Sequence, residues 1–140
     1  MSTNAKPLAI RELLVSPPTV MAPMAGVTDA PFRQMVRQRN CGLVCSEMIS
    51  ANGLYQNSAK TVQMMAHDPA EKPISIQIFG ARSDLMAAAA ARVEQSGADI
   101  LDINFGCSVK KVVKTGAGAA LMKEMGPAKA VIAAVRKAVT

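Results

Sequence analysis

The chain has 140 residues, of which half are apolar, and it carries a formal net charge of +6 at pH 7. This length suits one domain and is enough for a core, because a chain of this size buries roughly two thirds of its unfolded surface. The apolar content argues against a disordered chain. The positive charge suits a polyanionic partner. Three Phe and one Tyr are too few for a strip of aromatic side chains that stacks on single-stranded nucleic acid.

The cysteine pattern and the hydropathy of the chain exclude several other classes. The three cysteines form no Cys-x-x-Cys pair, so neither a disulfide framework nor a zinc site is favoured, and we expect no metal. No apolar run reaches the length of about 18 residues that a membrane span needs, and the first residues lack the apolar core of a signal peptide. We therefore expect a cytoplasmic protein without a membrane segment.

Short apolar runs alternate with longer stretches of helical periodicity, which is typical of β–α units. Residues 19–26 predict a strand that leads into a tight turn. Residues 28–40 predict a helix, with Asp29 as its N-cap and Pro31 in its first turn. Residues 42–48 predict the second strand.

The second half of the chain continues this alternation. The remaining predicted elements are a partly helical stretch over 51–71, strands over 73–80 and 98–106, and helices over 83–97 and 126–139. Ser83 is the predicted cap of its helix and Gly97 its stop, whereas the last helix is predicted to open on Pro127.

Polar side chains alternate with apolar ones in the last two predicted strands. The isoleucines of strand 73–80 share one face, and Gln77 lies on the other. In strand 98–106, Asp102 and Asn104 share the face opposite the apolar side chains. Gln77 and Asn104 therefore lie on the polar face, near the carboxyl ends of their strands.

Two α/β folds with a parallel sheet fit this pattern, a small doubly wound sheet and a (β/α)8 TIM barrel. Polar residues at the carboxyl ends of the strands favour the barrel, because those ends build the active site there. A whole barrel takes about 250 residues, so we expect about the first four β–α units. Residues 1–18 are then a lead-in, and residues 19–140 are the N-terminal half of the barrel domain.

Short motifs occupy all four predicted strand ends, namely APMAG (22–26), SEM (46–48), QIFG (77–80) and NFGC (104–107). With APMAGVTDAPFR at 22–33 and KKVVKTGAGAAL at 110–121, the sequence resembles the flavin-dependent tRNA-dihydrouridine synthases over residues 19–140. It is most similar to their bacterial branch.

This resemblance implies a flavin-binding barrel followed by a small helical domain. It implies that the enzyme uses FMN and NADPH to reduce particular uridines in tRNA to 5,6-dihydrouridine. Cys107 matches the cysteine that protonates carbon 5 of uracil, while the flavin delivers hydride to carbon 6. Pro23, Met24 and Ala25 match the turn against the flavin ring, Gln77 a side chain that binds the flavin, and Asn104 one near the uracil.

The chemistry of these residue types agrees with the resemblance. A glutamine amide can donate and accept at the polar edge of a flavin, and a thiol with an ordinary pKa of about 8.5 is a competent acid. Lysines at 110, 111 and 114 could lower the pKa of the thiol or bind phosphate. Among them, Lys111 is our substrate-binding candidate. Glu47 is expected to face the site, and the glycine turn at 116–118 to shape it.

Two departures from the family pattern are visible. Ser108 stands where the family usually has proline, so the loop that holds Cys107 lacks a fixed φ. The lysine, the histidine and the phosphate-binding loops of the family's later strands fall beyond residue 140. We therefore expect that this chain alone neither binds FMN tightly nor turns over. The alternatives are a non-catalytic RNA-binding remnant and another FMN barrel oxidoreductase that acts on a small molecule.

Overall fold

Residues 5–140 are described by a computed structural model of the chain. The strands are β1 (Leu8–Ile10), β2 (Leu13–Val15), β3 (Val44–Cys45), β4 (Ile49–Ser50), β5 (Ile74–Phe79) and β6 (Ile100–Ile103). The helices are α1 (Ala30–Gln38), α2 (Ala51–Tyr55), α3 (Ala59–Gln63), α4 (Ser83–Gln95), α5 (Lys110–Val113) and α6 (Met125–Ala138), with 3-10 turns at Pro69–Glu71 and Gly118–Lys123. None of the helices within residues 5–140 is long and apolar enough to cross a membrane.

Strands β3 to β6 form a parallel sheet with β5 at its centre. Ser75 of β5 pairs with Cys45 on one side and with Ile100 on the other. Because β4 also pairs with β5 opposite β6, β3 and β4 are two pieces of one strand along the same edge. Neighbouring strands therefore follow one another in chain order.

The predicted strand over 42–48 is interrupted. Five steps separate Val44 from Ile49, but only four separate their partners Ile74 and Ile78, so this stretch carries one extra residue against β5. Such a bulge bends a strand and redirects its side chains. Here the irregular stretch begins at Ser46, directly after β3.

The predicted strand over 19–26 is reduced to one parallel bridge between Val20 and Leu43. The Leu43 carbonyl accepts from Met21 N at 2.9 Å, and Leu43 N donates to the Thr19 carbonyl at 3.0 Å. Prolines at 17, 18 and 23 flank this piece, and they have no N–H to extend the ladder. The prediction of a full strand was wrong for this reason.

The predicted helices form with small shifts at their ends. Asp29 caps α1 as predicted, since its Oδ1 accepts from Phe32 N at 3.0 Å. The predicted cap at Ser83 was wrong, because Arg82 has the extended backbone of the N-cap and Ser83 already belongs to α4. Gly97, with φ +82°, follows the end of that helix as predicted.

The apolar core lies between the sheet and helices α4 and α6. The three isoleucines of β5 are fully buried and belong to one cluster with Met86, Val93 and Val131. Their alternation leaves Gln77 on the opposite face, where the strand bears polar side chains. The core therefore fixes the face that carries the predicted site.

The lead-in contains a feature that the sequence did not predict, an antiparallel hairpin of β1 and β2. Val15, at its end, is fully buried. A Cβ at Gly42 would lie 1.9 Å from the Pro17 carbonyl oxygen and 2.8 Å from Val15 Cγ1. Gly42 therefore lets the lead-in pack closely against the start of the second strand of the sheet. Residues 1–4 of the lead-in lie outside the described part.

Candidate active site

The turn at residues 23–26, which follows the bridge at Val20, is fixed by hydrogen bonds to one buried threonine. Thr28 is fully buried, and its N–H donates to the Met24 carbonyl at 3.0 Å. Its Oγ1 accepts from Met24 N at 3.1 Å. Gly26 supplies the positive φ of +76° that the turn requires. The predicted residues Pro23, Met24 and Ala25 thus lie on a constrained turn, with Met24 and Ala25 exposed.

The irregular stretch between β3 and β4 forms a hydrogen bond with this turn. Glu47 lies in the irregular stretch between β3 and β4, and its Oε1 accepts from Gly26 N. The neighbouring Ser46 is buried; its hydroxyl accepts from Gln77 N at 3.1 Å and donates to the Glu47 carbonyl at 2.7 Å. Hydrogen bonds therefore join three neighbouring parts of the sheet: the turn at residues 23–26, the stretch between β3 and β4, and β5.

Three of the predicted site residues form one hydrogen-bonded series with Asp102. Gln77 Nε2 donates to Asp102 Oδ2 at 2.6 Å, and Asn104 Nδ2 donates to Gln77 Oε1 at 2.9 Å. Asn104 Oδ1 then accepts from the backbone N–H of Cys107 at 3.0 Å. The series runs from the sheet to the cysteine loop, so Gln77, Asn104 and Cys107 lie together as the motifs predicted.

The glycine turn at 116–118 lies against Cys107. The Cys107 carbonyl accepts from Ala119 N at 2.9 Å. A Cβ at Gly118 would lie 2.5 Å from that carbonyl oxygen and 3.2 Å from Cys107 Cβ. Cys107 is therefore held at both its N–H and its carbonyl, while its side chain is half-buried.

Lys111 lies outside this hydrogen-bonded series. It is an exposed residue of α5 that lines a pocket of about 570 Å³ with Met48, Phe79 and Arg82. Cys107 is not among the residues that line this pocket. The structure thus puts Lys111 beside the cysteine loop rather than with Gln77 and Asn104.

The other two cysteines have different surroundings. Burial, followed by the negative charge of Asp102, raises the pKa of Cys45 to about 11, so its thiol is neutral at pH 7. Cys41 follows α1, and its Sγ lies 3.3 Å from the Leu43 carbonyl. Both agree with the prediction that these cysteines belong to the core or to helix ends.

The family model described as dihydrouridine synthase (Dus) matches residues 20–140. The chain belongs to the dihydrouridine synthase family. This match includes every predicted site residue, from the Pro23 turn to Lys111.

Named relatives agree with this family. The chain is 42% identical over 120 residues to tRNA-dihydrouridine synthase B of Pseudomonas aeruginosa, which covers 86% of this chain and 36% of the relative. It is 48% identical over 105 residues to the protein of that name from Pseudomonas syringae (75% and 31%). It is 40% identical over 137 residues to the probable tRNA-dihydrouridine synthase 1 of Synechocystis (96% and 38%). The chain therefore spans about a third of the length of these relatives.

Several supporting residues of this family member escaped the sequence analysis. Arg33 is 2% exposed, and its Nε lies 2.5 Å from Oε2 of the fully buried Glu71. Arg33 Nη1 donates to the Thr28 carbonyl at 3.1 Å, so the ion pair also braces the Pro23 turn. The alternation of polar and apolar residues placed Asp102 on the same face as Asn104. Its hydrogen-bond partner Gln77 could not be predicted, because it depends on the register of β6 against β5.

The described residues offer no metal site. Within residues 5–140, no group of three or more His, Cys, Asp or Glu side chains could hold a metal ion. The polar groups at the strand ends are mainly amides, hydroxyls and backbone N–H groups, which suit hydrogen bonding to an organic ligand.

Proposed function

We propose that this chain is the N-terminal half of the catalytic domain of a cytoplasmic tRNA-dihydrouridine synthase. Such an enzyme reduces particular uridines in tRNA to 5,6-dihydrouridine, with NADPH as reductant and FMN as the bound carrier. The observation that carries the proposal is the hydrogen-bonded series that ends at Cys107, in a chain of this family. The names of the relatives support the same reaction.

The proposed fold is a (β/α)8 barrel to which residues 19–140 contribute about the first four β–α units, after a lead-in over 1–18. The parallel strands follow one another in chain order. This order supports a barrel over a doubly wound sheet, in which the strand order reverses at one point.

The residues present fit a flavin. Gln77 uses one N–H for Asp102 and one lone pair for Asn104, which leaves one donor and one acceptor for the imide edge of the ring. The Pro23–Ala25 turn has open space beside Gly26, where a Cβ would meet no atom within 4 Å, so a planar ring could approach its backbone. FMN bound there, once reduced by NADPH, would supply the hydride that is added to carbon 6 of uracil.

The chain's own residues would orient the base and supply the proton. Asn104 retains one N–H and one lone pair, which match the donor and acceptor of the uracil imide edge. The Cys107 thiol holds the proton and gives it to carbon 5, and such general acid catalysis contributes about 100-fold to 10,000-fold. Lys111, exposed beside the loop, would bind a tRNA phosphate.

The test is a chimera in which residues 20–140 replace the matched segment of the Pseudomonas aeruginosa relative. We expect the chimera to keep a flavin absorption band after desalting and to form dihydrouridine in tRNA that lacks it, as measured by mass spectrometry. Cys107→Ala should slow uridine reduction by about 100-fold or more, since it removes the general acid.

Two controls make the chimera decisive. Cys41→Ala removes a thiol at the opposite end of the sheet and should leave the rate unchanged, and reduction of the flavin by NADPH should survive Cys107→Ala. A chimera that binds FMN and oxidises NADPH but leaves every uridine unreduced would contradict the proposal. Equal rates with and without Cys107 would show that the proton comes from another group.

A further inference from the structure

We propose that Asp102 is a positioning residue that sets the direction of the hydrogen bonds through Gln77 and Asn104 and thereby holds the backbone of Cys107. Its meaning for catalysis rests on the function proposed above. The direction of the hydrogen bonds itself does not, because it is a property of this chain without any ligand.

The first step concerns the amide of Gln77. An ionised carboxylate can only accept hydrogen bonds, whereas a glutamine amide can present either its oxygen or its NH2 group. Gln77 lies directly opposite Asp102 in the pairing of β5 with β6. With Asp102 Oδ2 at 2.6 Å, the NH2 group must face Asp102, and the amide oxygen must then point to Asn104.

The second step carries this direction to the cysteine loop. Because Gln77 Oε1 is an acceptor, Asn104 must present its own NH2 group to it, at 2.9 Å. That leaves Asn104 Oδ1 to accept from Cys107 N at 3.0 Å. A reversed Asn104 would present a donor to the N–H donor of Cys107, and this hydrogen bond would be lost.

The third step is that the backbone of Asn104 is fixed, so only its side-chain amide can change direction. Its backbone N–H donates to the Ile78 carbonyl at 2.9 Å, so its main chain stays tied to β5. The freedom that remains is rotation of two amide groups, and Asp102 removes it. Asp102 thereby also determines which donor and which acceptor of Gln77 and Asn104 stay available to ligands.

The test compares Asp102→Asn with the wild-type chain by NMR, without FMN or tRNA. A neutral amide at position 102 can accept or donate, so Gln77 is free to reverse. We expect the backbone amide of Cys107 to exchange with solvent about tenfold faster, the order of one net hydrogen bond. The exchange rate is divided by that of the Ser46 backbone amide, which donates to the Ser75 carbonyl at 2.9 Å between two buried strands and reports overall stability.

A swapped pair distinguishes direction from simple loss of a contact. With Gln77→Glu added to Asp102→Asn, the carboxylate at position 77 accepts from Asn104 again, so slow exchange at Cys107 should return. Asp99→Asn is the matched control, because Asp99 accepts from Ile74 N at 2.9 Å at the start of β5, away from this series. It should leave the normalised Cys107 rate unchanged.

Clear outcomes would overturn the proposal. An unchanged Cys107 rate in Asp102→Asn, or no recovery in the swapped pair, would show that Asp102 does not set the direction. Should the variants not fold, the wild-type chain decides: a through-hydrogen-bond coupling between Cys107 N and the side-chain carbonyl carbon of Asn104 is expected, and its absence refutes the proposal. Because no cofactor or tRNA is used, these outcomes are independent of the chimera test.

Discussion

At the scale of single residues, the thiols of Cys45 and Cys107 have different surroundings. Cys45 is buried in β3 near a carboxylate, which keeps its thiol protonated. Cys107 is half-buried in a loop, with its N–H held by Asn104 and its carbonyl held by Ala119. The difference lies in the neighbours rather than in the residue type, and it supports Cys107, not Cys45, as the proposed general acid.

The raised pKa of Cys45 predicts a specific dependence of stability on pH. The folded state binds the thiol proton more tightly than the unfolded state, so this contribution to the free energy of unfolding is complete below about pH 9. It is lost as the pH rises towards 11. Urea unfolding of wild type and Cys45→Ala over this range should show a steeper decline in the wild type. Parallel curves would contradict the prediction, since all other titrating groups are shared.

Gly118 predicts a second effect at residue scale. It has a φ of +60°, and an added Cβ would lie 2.5 Å from the Cys107 carbonyl oxygen. Gly118→Ala should therefore lower the free energy of unfolding by about 1 to 3 kcal/mol and alter the rate at which iodoacetamide alkylates Cys107. Gly126→Ala is the matched control, because a Cβ there meets nothing within 4 Å. Equal effects of both substitutions would contradict this prediction.

At the scale of elements, local patterns predicted what depends on local physics. The isoleucine alternation identified β5, and Asp29 identified the start of α1. The bulge in the second strand could not be predicted, because the extra residue exists only relative to the register against β5. The β1–β2 hairpin was missed because its strands have three residues each, too few for a clear period.

The candidate site shows the same division. Gln77, Asn104 and Cys107 were predicted because each lies in a short motif at a strand end. Ser46 and Asp102 were not assigned roles, because both bind a residue on another strand. The Ser46 hydroxyl accepts from Gln77 N beside the bulge, and Asp102 accepts from the Gln77 side chain. Contacts between strands depend on register, and the sequence does not state the register.

The buried pair that joins α1 to the turn at Pro69–Glu71 gives a prediction at element scale. Glu71→Gln leaves the Arg33 charge buried without a carboxylate and should lower the free energy of unfolding by about 3 to 5 kcal/mol. Asp84→Asn breaks the exposed pair with Arg82 and should cause no measurable change. Denaturant unfolding checks both variants. A small effect of Glu71→Gln would mean that Arg33 finds sufficient partners in the Thr28 and Ala66 carbonyls.

At the scale of the whole molecule, the sheet has two open edges. Within the described residues, β6 pairs only with β5, and the segment around Val20 pairs only with Leu43, directly before β3. A groove of about 320 Å³ beside β6 is lined by Leu101, Ile103 and residues of α6. Closing a sheet into a barrel removes such edges, which supports the barrel proposed for the intact domain.

The net charge of +6 allows a test of the proposed binding of tRNA. If Lys111 binds a phosphate, the affinity for tRNA should fall as salt rises, and Lys111→Ala should reduce the slope of log K against log[salt] by about 0.7 to 0.9. The slope is measured by fluorescence anisotropy at several salt concentrations. Lys129→Ala removes an equal charge from α6, where Lys129 is exposed, and should leave the slope closer to that of the wild type.

The outcomes of this titration separate the alternatives for the whole chain. A salt-dependent affinity that Lys111→Ala weakens, with Cys107→Ala unchanged, is expected for both a tRNA-reducing enzyme and an RNA-binding remnant, and the chimera then decides between them. No measurable binding of tRNA at low salt would contradict phosphate binding at Lys111. It would favour a flavin oxidoreductase acting on a small molecule, because such a substrate needs no basic loop beside the reactive cysteine.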